Sequence, residues 1–306
     1  MSSYSAINSD TGSTENEQLT TEPYVNQSTT TDGPKNTLDE PVLPKAAVSN
    51  RDPYQERQYQ KGRLALAFRI FAKLYNSSFP LLGTRTEADK ALQGDPVEPT
   101  SFWVNPFGLA WPRLRASDLI RVDKSGAVVD GGKYRRLNTA AYMIHHAIHV
   151  ARPEVNCVAH SHSIYGRAFC ALGRNLDLIT QDSCAFHNDI ALYQQFKGVV
   201  LAQEEGHSIV TALGKKKAAL LQNHGLLTCG ESIESTVFWF MSLEKCCHVQ
   251  LMADAAAAGR ASATVKIPDS DAEHTYKTVG TEDAGLFSAL PTFDMMEEDS
   301  GTDYQS

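Results

Sequence analysis

No hydrophobic run in this chain approaches the ~18 residues that cross a bilayer, so no membrane-spanning helix is expected. Residues 1–10 lack the basic and apolar blocks of a secretory leader. The six cysteines, at 157, 170, 184, 229, 246 and 247, form no CxxC pair and no framework spacing. In a chain of 306 residues they read as reduced thiols of a cytoplasmic protein. No phosphate-cradling glycine loop and no G-x-S-x-G elbow is present. A concentrated basic stripe is missing too, which argues against a nucleic-acid partner.

What is present is a folded middle between acidic ends. Residues 1–55 carry three basic and eight acidic side chains, and residues 266–306 carry two and ten. The formal charge of −8 therefore belongs to the ends, and residues 56–265 are net +5. Residues 1–53 are rich in Ser, Thr, Asn, Glu and Pro without apolar period, and read as a disordered tail. Residues 54–265 read as one domain, and residues 266–306 as a mobile acidic tail.

Within the domain, periodicity predicts a helix over 54–75, an irregular stretch over 76–100 and a strand at 102–104. A hairpin follows around Lys124-Ser125-Gly126, then a helix over 138–150. The run Val155 to His162 reads as a central strand and 164–172 as a helix. Further elements are a helix at 206–213, a strand at 218–222, its continuation at 226–229, and a long helix from Ser232 to about Ala258. Alternating helices and strands define an α/β class.

Histidine is where the chemistry concentrates. His160 and His162 are two apart on a predicted strand, so both point to one face, roughly 6.6 Å apart. His224 interrupts an apolar strand at Asn223-His224-Gly225, and strand ends are where ligands of α/β folds collect. Three neutral imidazoles plus an open position are the pattern of a catalytic metal site. His145, His146 and His149 form a rival set on the preceding helix, but the glutamate of a zincin motif is missing and packing roles are expected. His187, His207 and His248 read as surface or core histidines, Lys215-Lys216-Lys217 as a solvated face and Cys246-Cys247 as core packing.

Six segments carry a resemblance: Phe102-Trp103-Val104-Asn105-Pro106-Phe107-Gly108, Arg115-Ala116-Ser117-Asp118-Leu119, Leu137-Asn138, Ala151-Arg152-Pro153-Glu154-Val155, His160-Ser161-His162-Ser163, and Asn223-His224-Gly225-Leu226-Leu227-Thr228. Together, over residues 60–260, they resemble the class II aldolase/adducin family, in particular its stand-alone fungal and bacterial members. The resemblance implies a three-layer α/β/α domain with a central, mostly antiparallel sheet. It implies metal ligation by His160, His162 and His224, normally of Zn2+, and a homotetramer with sites at subunit interfaces.

Three positions depart from the family's enzymes. The helix before the H-x-H strand carries Ala141 where aldolases and epimerases have an acid/base carboxylate. The segment Leu178-Ile179-Thr180-Gln181-Asp182 lacks the aldolases' tyrosine, leaving Asp182 as the candidate catalytic carboxylate. Glu87 to Gln93 stands in place of a substrate-lining loop, of which Gly94-Asp95-Pro96 survives. The leading expectation is a divalent-metal-dependent, aldolase-like lyase acting on a small oxygenated carbonyl substrate, the metal polarising the carbonyl or stabilising an enolate. An enzyme of the same fold holding Fe2+, a decarboxylase or oxygenase, is the first alternative, since imidazole suits iron as well as zinc. A non-catalytic, adducin-like module binding actin is the second. Its short acidic C-terminus, unlike adducin's long neck and basic tail, argues against it.

Overall fold

The computed structural model describes residues 50–75, 90–196 and 203–306. The expected N-terminal tail up to residue 49 and residues 87–89 of the segment that replaces the substrate-lining loop lie outside them. Eight strands form one sheet: β1 (Lys90–Gly94), β2 (Ser101–Val104), β3 (Ile120–Asp123), β4 (Val128–Gly131), β5 (Cys157–Ser161), β6 (Ile190–Tyr193), β7 (Ala218–Leu221) and β8 (Gly225–Gly230). Their order is β4-β3-β2-β1-β5-β8-β7-β6, antiparallel throughout except for the parallel β6–β7 pair.

Alternation along the central strands builds two apolar layers, because successive side chains leave a strand on opposite faces. Cys157, Ala159, Ala218, Leu220 and Leu226 face one core, which also takes in α1 (Pro53–Tyr75), α3 (Ile164–Cys170) and α5 (Ile233–Ala258). Val158, Ala219, Leu221, Leu227 and Cys229 face the other, against α2 (Thr139–Ala151) and α4 (Gln203–Leu213). The three-layer α/β/α architecture and the mostly antiparallel sheet follow as expected.

Three sequence expectations need correction. First, 266–306 is not a mobile tail: α6 (Asp269–Val279), α7 (Glu282–Ser300) and a 3-10 turn at Asp303–Gln305 fold onto the domain. Ala272, Ala284, Ala289, Phe293, Met296 and Tyr304 are buried there. The acidic side chains that made the segment look solvated are partners for α1: Glu297 meets Arg63, Asp303 meets Arg69 and Asp299 meets Lys73. Second, the apolar period that predicts a helix over 54–75 implies a single buried face, and α1 is buried on more than one. Arg63 through Ala72 are all buried, because α7 covers the side that would otherwise face water, and Leu74 is exposed instead. Third, the irregular stretch contains β1, which pairs with both β2 and β5 although its residues, KALQG, have little strand propensity.

Candidate metal centre

β5 ends at Ser161, so His160 is in the strand and His162 lies just past it, in the turn that leads into α3. β8 runs antiparallel to β5 with Leu226 opposite Ser161 and Leu227 opposite His160. The β7–β8 turn therefore delivers His224 to the same end of the sheet. Two local features allow this. Asn223 takes a left-handed conformation at φ 56°, tolerated by asparagine better than by most side chains. A Cβ on Gly225 would lie 2.5 Å from the Ser161 carbonyl oxygen and 3.3 Å from the His160 ring, so only glycine lets the strands come this close.

The three rings converge. Their centroids are 5.2 Å apart for His160–His162 and 4.7 Å for each of the other two pairs, mutually edge-on. One nitrogen of each ring lies within 4.8 Å of the other two, the one such cluster of His, Cys, Asp or Glu among the described residues. His160 is buried, and its Nδ1–H donates to the Leu226 carbonyl at 2.8 Å. That bond fixes the tautomer and leaves the lone pair on Nε2, which is buried and has no hydrogen-bond partner among the described residues. A buried acceptor with nothing to accept from is a standing penalty, and a cation removes it. The donor set fits a divalent metal.

Electrostatics point the same way. Burial, then the charges of His224 and Arg167, push His162 down to about 4. Burial and the neighbouring rings hold His160 well below its usual value, and burial lowers His224. All three are neutral at pH 7, as metal ligation requires.

The rival histidines pack. His149 donates from Nδ1 to Val155 O at 2.9 Å and lies against Phe102, while His146 stacks on Tyr142. His145 is buried close enough to His160 to act on its ionisation. Ala141 is the third residue of α2, one turn before His145. Asp182 is exposed at the start of the 3-10 turn Asp182–Phe186 and is not brought into the histidine cluster; it acts on the Cys246 thiol, which burial first and Asp182 next push up to about 12. Cys246 and Cys247 pack into the core as expected, whereas Lys217 is not solvated: it is buried beside Trp239 and Asp189.

One residue escaped the sequence reading. Glu244, buried within α5, accepts from the Ser163 hydroxyl at 2.5 Å and from the backbone N–H groups of Tyr165 and Gly166. It thereby pins the turn that carries His162. The available signal was a carboxylate in the midst of Met241, Leu243, Cys246 and Cys247.

A three-layer fold carrying at one end of its sheet a histidine cluster that could hold a metal ion defines an α/β protein of aldolase type. Residues 90–251 match the family described as Class II Aldolase and Adducin N-terminal domain, and the chain belongs to that family. Among relatives, it is 42% identical to a protein of Streptomyces niveus named Decarboxylase NovR, over 78% of this chain and 85% of that one. It is 42% identical to a 4-hydroxy-3-prenylphenylpyruvate oxygenase/4-hydroxy-3-prenylbenzoate synthase of Streptomyces roseochromogenus subsp. oscitans, over 78% and 83%. Among solved structures, the L-fuculose 1-phosphate aldolase from Glaciozyma antarctica PI12 shares 44% identity and a TM-score of 0.76, over 85% of this chain and 97% of that one.

Proposed function

We propose that this chain is a divalent-metal-dependent enzyme that breaks a carbon–carbon bond beside a carbonyl group of a small oxygenated substrate. The observation that carries the reading is the convergence of His160, His162 and His224 with the free Nε2 of His160 turned to the shared position by the Leu226 carbonyl. A metal held by these three supplies Lewis acidity to an oxygen that gains negative charge as the bond breaks. The protein's own part is positional. Leu226 O holds the proton at His160 Nδ1, Glu244 fixes the turn behind His162, and the left-handed Asn223 aims His224.

Ala141 favours one branch. A methyl group exchanges no proton, and aldol cleavage needs a base for the substrate hydroxyl. Loss of CO2 from an ionised carboxylate needs none: the electron pair of the broken C–C bond stays on the substrate carbon, and for a 2-oxo acid dioxygen would be the oxidant that takes it up. We therefore favour a decarboxylase or oxygenase on a 2-oxo acid, with Fe2+ in the site, in line with the activities named for the two Streptomyces relatives. Aldol cleavage with Zn2+ is the second reading; the similarity to the Glaciozyma aldolase structure supports it. Under either reading a homo-oligomer is the expected assembly, and Asp182, which lies outside the histidine cluster, is given no part in the reaction.

Elemental analysis of the purified protein, with oxygen uptake and carbon dioxide release from phenylpyruvate on addition of Fe2+, tests the proposal. Turnover with Fe2+ is the expected result. Cleavage of L-fuculose 1-phosphate with Zn2+ and no reaction with phenylpyruvate would select the second reading. A protein that takes up neither metal would end both.

A further inference from the structure

The sheet face beneath α1 carries a second group of unmet polar atoms, away from the histidines. Trp103 pairs with Gln93, and Gln93 with Cys157, the first residue of β5. His160 lies three residues further on, about 10 Å along the strand. Direct partners on neighbouring strands share a face, so Arg121 of β3 stands beside Trp103. Ser101, two before Trp103 in β2, stands there too. The intervening Phe102, Val104, Ile120 and Val122 leave through the other face into their own apolar cluster.

Two cations border this buried indole with donors to spare. Lys61, half-buried on α1, holds its ammonium 4.2 Å from the Trp103 ring centroid. Among the described residues it has no hydrogen-bond acceptor and no carboxylate at ion-pair distance. Arg121 gives Nη1 to Ser101 Oγ at 3.2 Å, but its Nε is buried and has no hydrogen-bond partner among the described residues. The nearby carboxylates do not meet these needs. Asp95 is taken up by Arg57, the Trp103 indole and two backbone N–H groups. Asp123, opposite Ser101, is turned into the β3–β4 hairpin, where it accepts from Ser125 and Ala127. Asp130 stops 3.9 Å from Arg121 Nε, beyond hydrogen-bond reach, with its Oδ1 held by Gly131 N at 2.7 Å. A buried N–H without an acceptor and a partly desolvated ammonium are a cost that an anion removes.

We propose that Lys61 and Arg121 form an anion site on the α1 face of the sheet, separate from the histidine cluster, and that it takes a phosphoryl group. The class follows from the directions of the donors. Arg121 offers its N–H from the sheet, and Lys61 its ammonium from the helix layer above, so the donors are not coplanar. A tetrahedral oxyanion has an oxygen for each direction, whereas a planar carboxylate meets only the edge of a guanidinium. A dianion also matches two cations. Both side chains keep part of their surface open to water, which leaves the ligand a way in.

The test titrates the full chain calorimetrically with inorganic phosphate, as wild type, Lys61→Gln, Arg121→Gln, Asp130→Asn and His224→Ala. Wild type and His224→Ala are expected to bind it alike, and more weakly as salt rises. Lys61→Gln and Arg121→Gln should each weaken binding roughly tenfold to a hundredfold. Asp130→Asn should tighten it by removing a competing carboxylate. Lys61→Gln alters only a half-buried position of α1, so it decides the matter even where Arg121→Gln fails to fold. Loss of binding in His224→Ala would move the phosphate to the histidines and overturn the proposal. So would unchanged affinity in Lys61→Gln, no binding by wild type, or equal affinity for acetate. Glycerol 3-phosphate as a further titrant names the source. Tighter binding than phosphate assigns a monoester and weaker binding the free ion, and either supports the site.

Discussion

At the scale of single residues, the site is decided by what each histidine is prevented from doing. His160 cannot change tautomer without breaking its bond to Leu226 O, and among the described residues no donor satisfies its Nε2. Removing one of three ligands costs more than disturbing an outer partner, for which a tenfold to hundredfold loss is usual. His224→Ala is therefore expected to lower metal affinity by more than about a hundredfold, read by chelator competition, with the far-ultraviolet spectrum unchanged. Gly225→Ala should act through the backbone. Its methyl would press on Ser161 O, so a loss of about 1–3 kcal/mol in urea unfolding is expected, together with weaker metal binding. An unaltered Gly225→Ala protein would mean that the close approach of β5 and β8 is not required. These residues were legible because their signal is local: an H-x-H pair and an N-H-G break in an apolar run. Glu244 was not, since its partners are about eighty positions away and only folding brings them together.

At the scale of elements, burial overrode propensity where the two disagreed. The strongly periodic helices and the long α5 were readable from sequence within a few residues. β1 was not, because pairing on both edges holds it in the sheet and its side-chain types do not. The turn that follows β1 is held by Asp95, whose carboxylate is buried, receives two bonds from Arg57 and also accepts from the Trp103 indole and from the N–H groups of Val97 and Glu98. Burial alone would raise this carboxyl, but the bonds from Arg57, Glu98, Trp103 and Val97 outweigh it and hold it below its usual value of 3.8. A depressed carboxyl stabilises above its unfolded pKa and loses that contribution as pH falls through the folded one. Asp95→Asn should thus be less stable than wild type by about 3–5 kcal/mol at pH 7, since Arg57 is left without its partner. The gap should begin to narrow as pH falls below 3.8, toward the lower pKa of the folded carboxyl. Parallel urea titrations at pH 7 and pH 3 check this, and a constant gap would contradict it.

At the scale of the whole molecule, the acidic C-terminal segment is the largest departure from what composition suggests. Charge density alone cannot distinguish a solvated tail from a helix pair whose acids meet bases on a distant element. Here Arg63 on α1 bonds to Glu234 at 2.6 Å and its guanidinium lies over the Phe293 ring, so α1, α5 and α7 meet at one cation. α7 also brings Gly285 against the Trp239 ring so closely that a Cβ would lie 2.5 Å from it. Lys217, buried at the start of β7, donates to Gly280 O between α6 and α7 at 2.6 Å. Ending the chain at Lys266 would strip these contacts, expose Trp239, and strand Arg63 beside Glu234 with one face open. Such a truncation is expected to aggregate. The full-length Phe293→Ala variant should remain folded but lose about 3–5 kcal/mol. Size-exclusion chromatography of the truncation and urea unfolding of Phe293→Ala read the two effects separately. A truncated chain that elutes as a single folded species with the wild-type unfolding midpoint would show that α6 and α7 ride on the domain without supporting it.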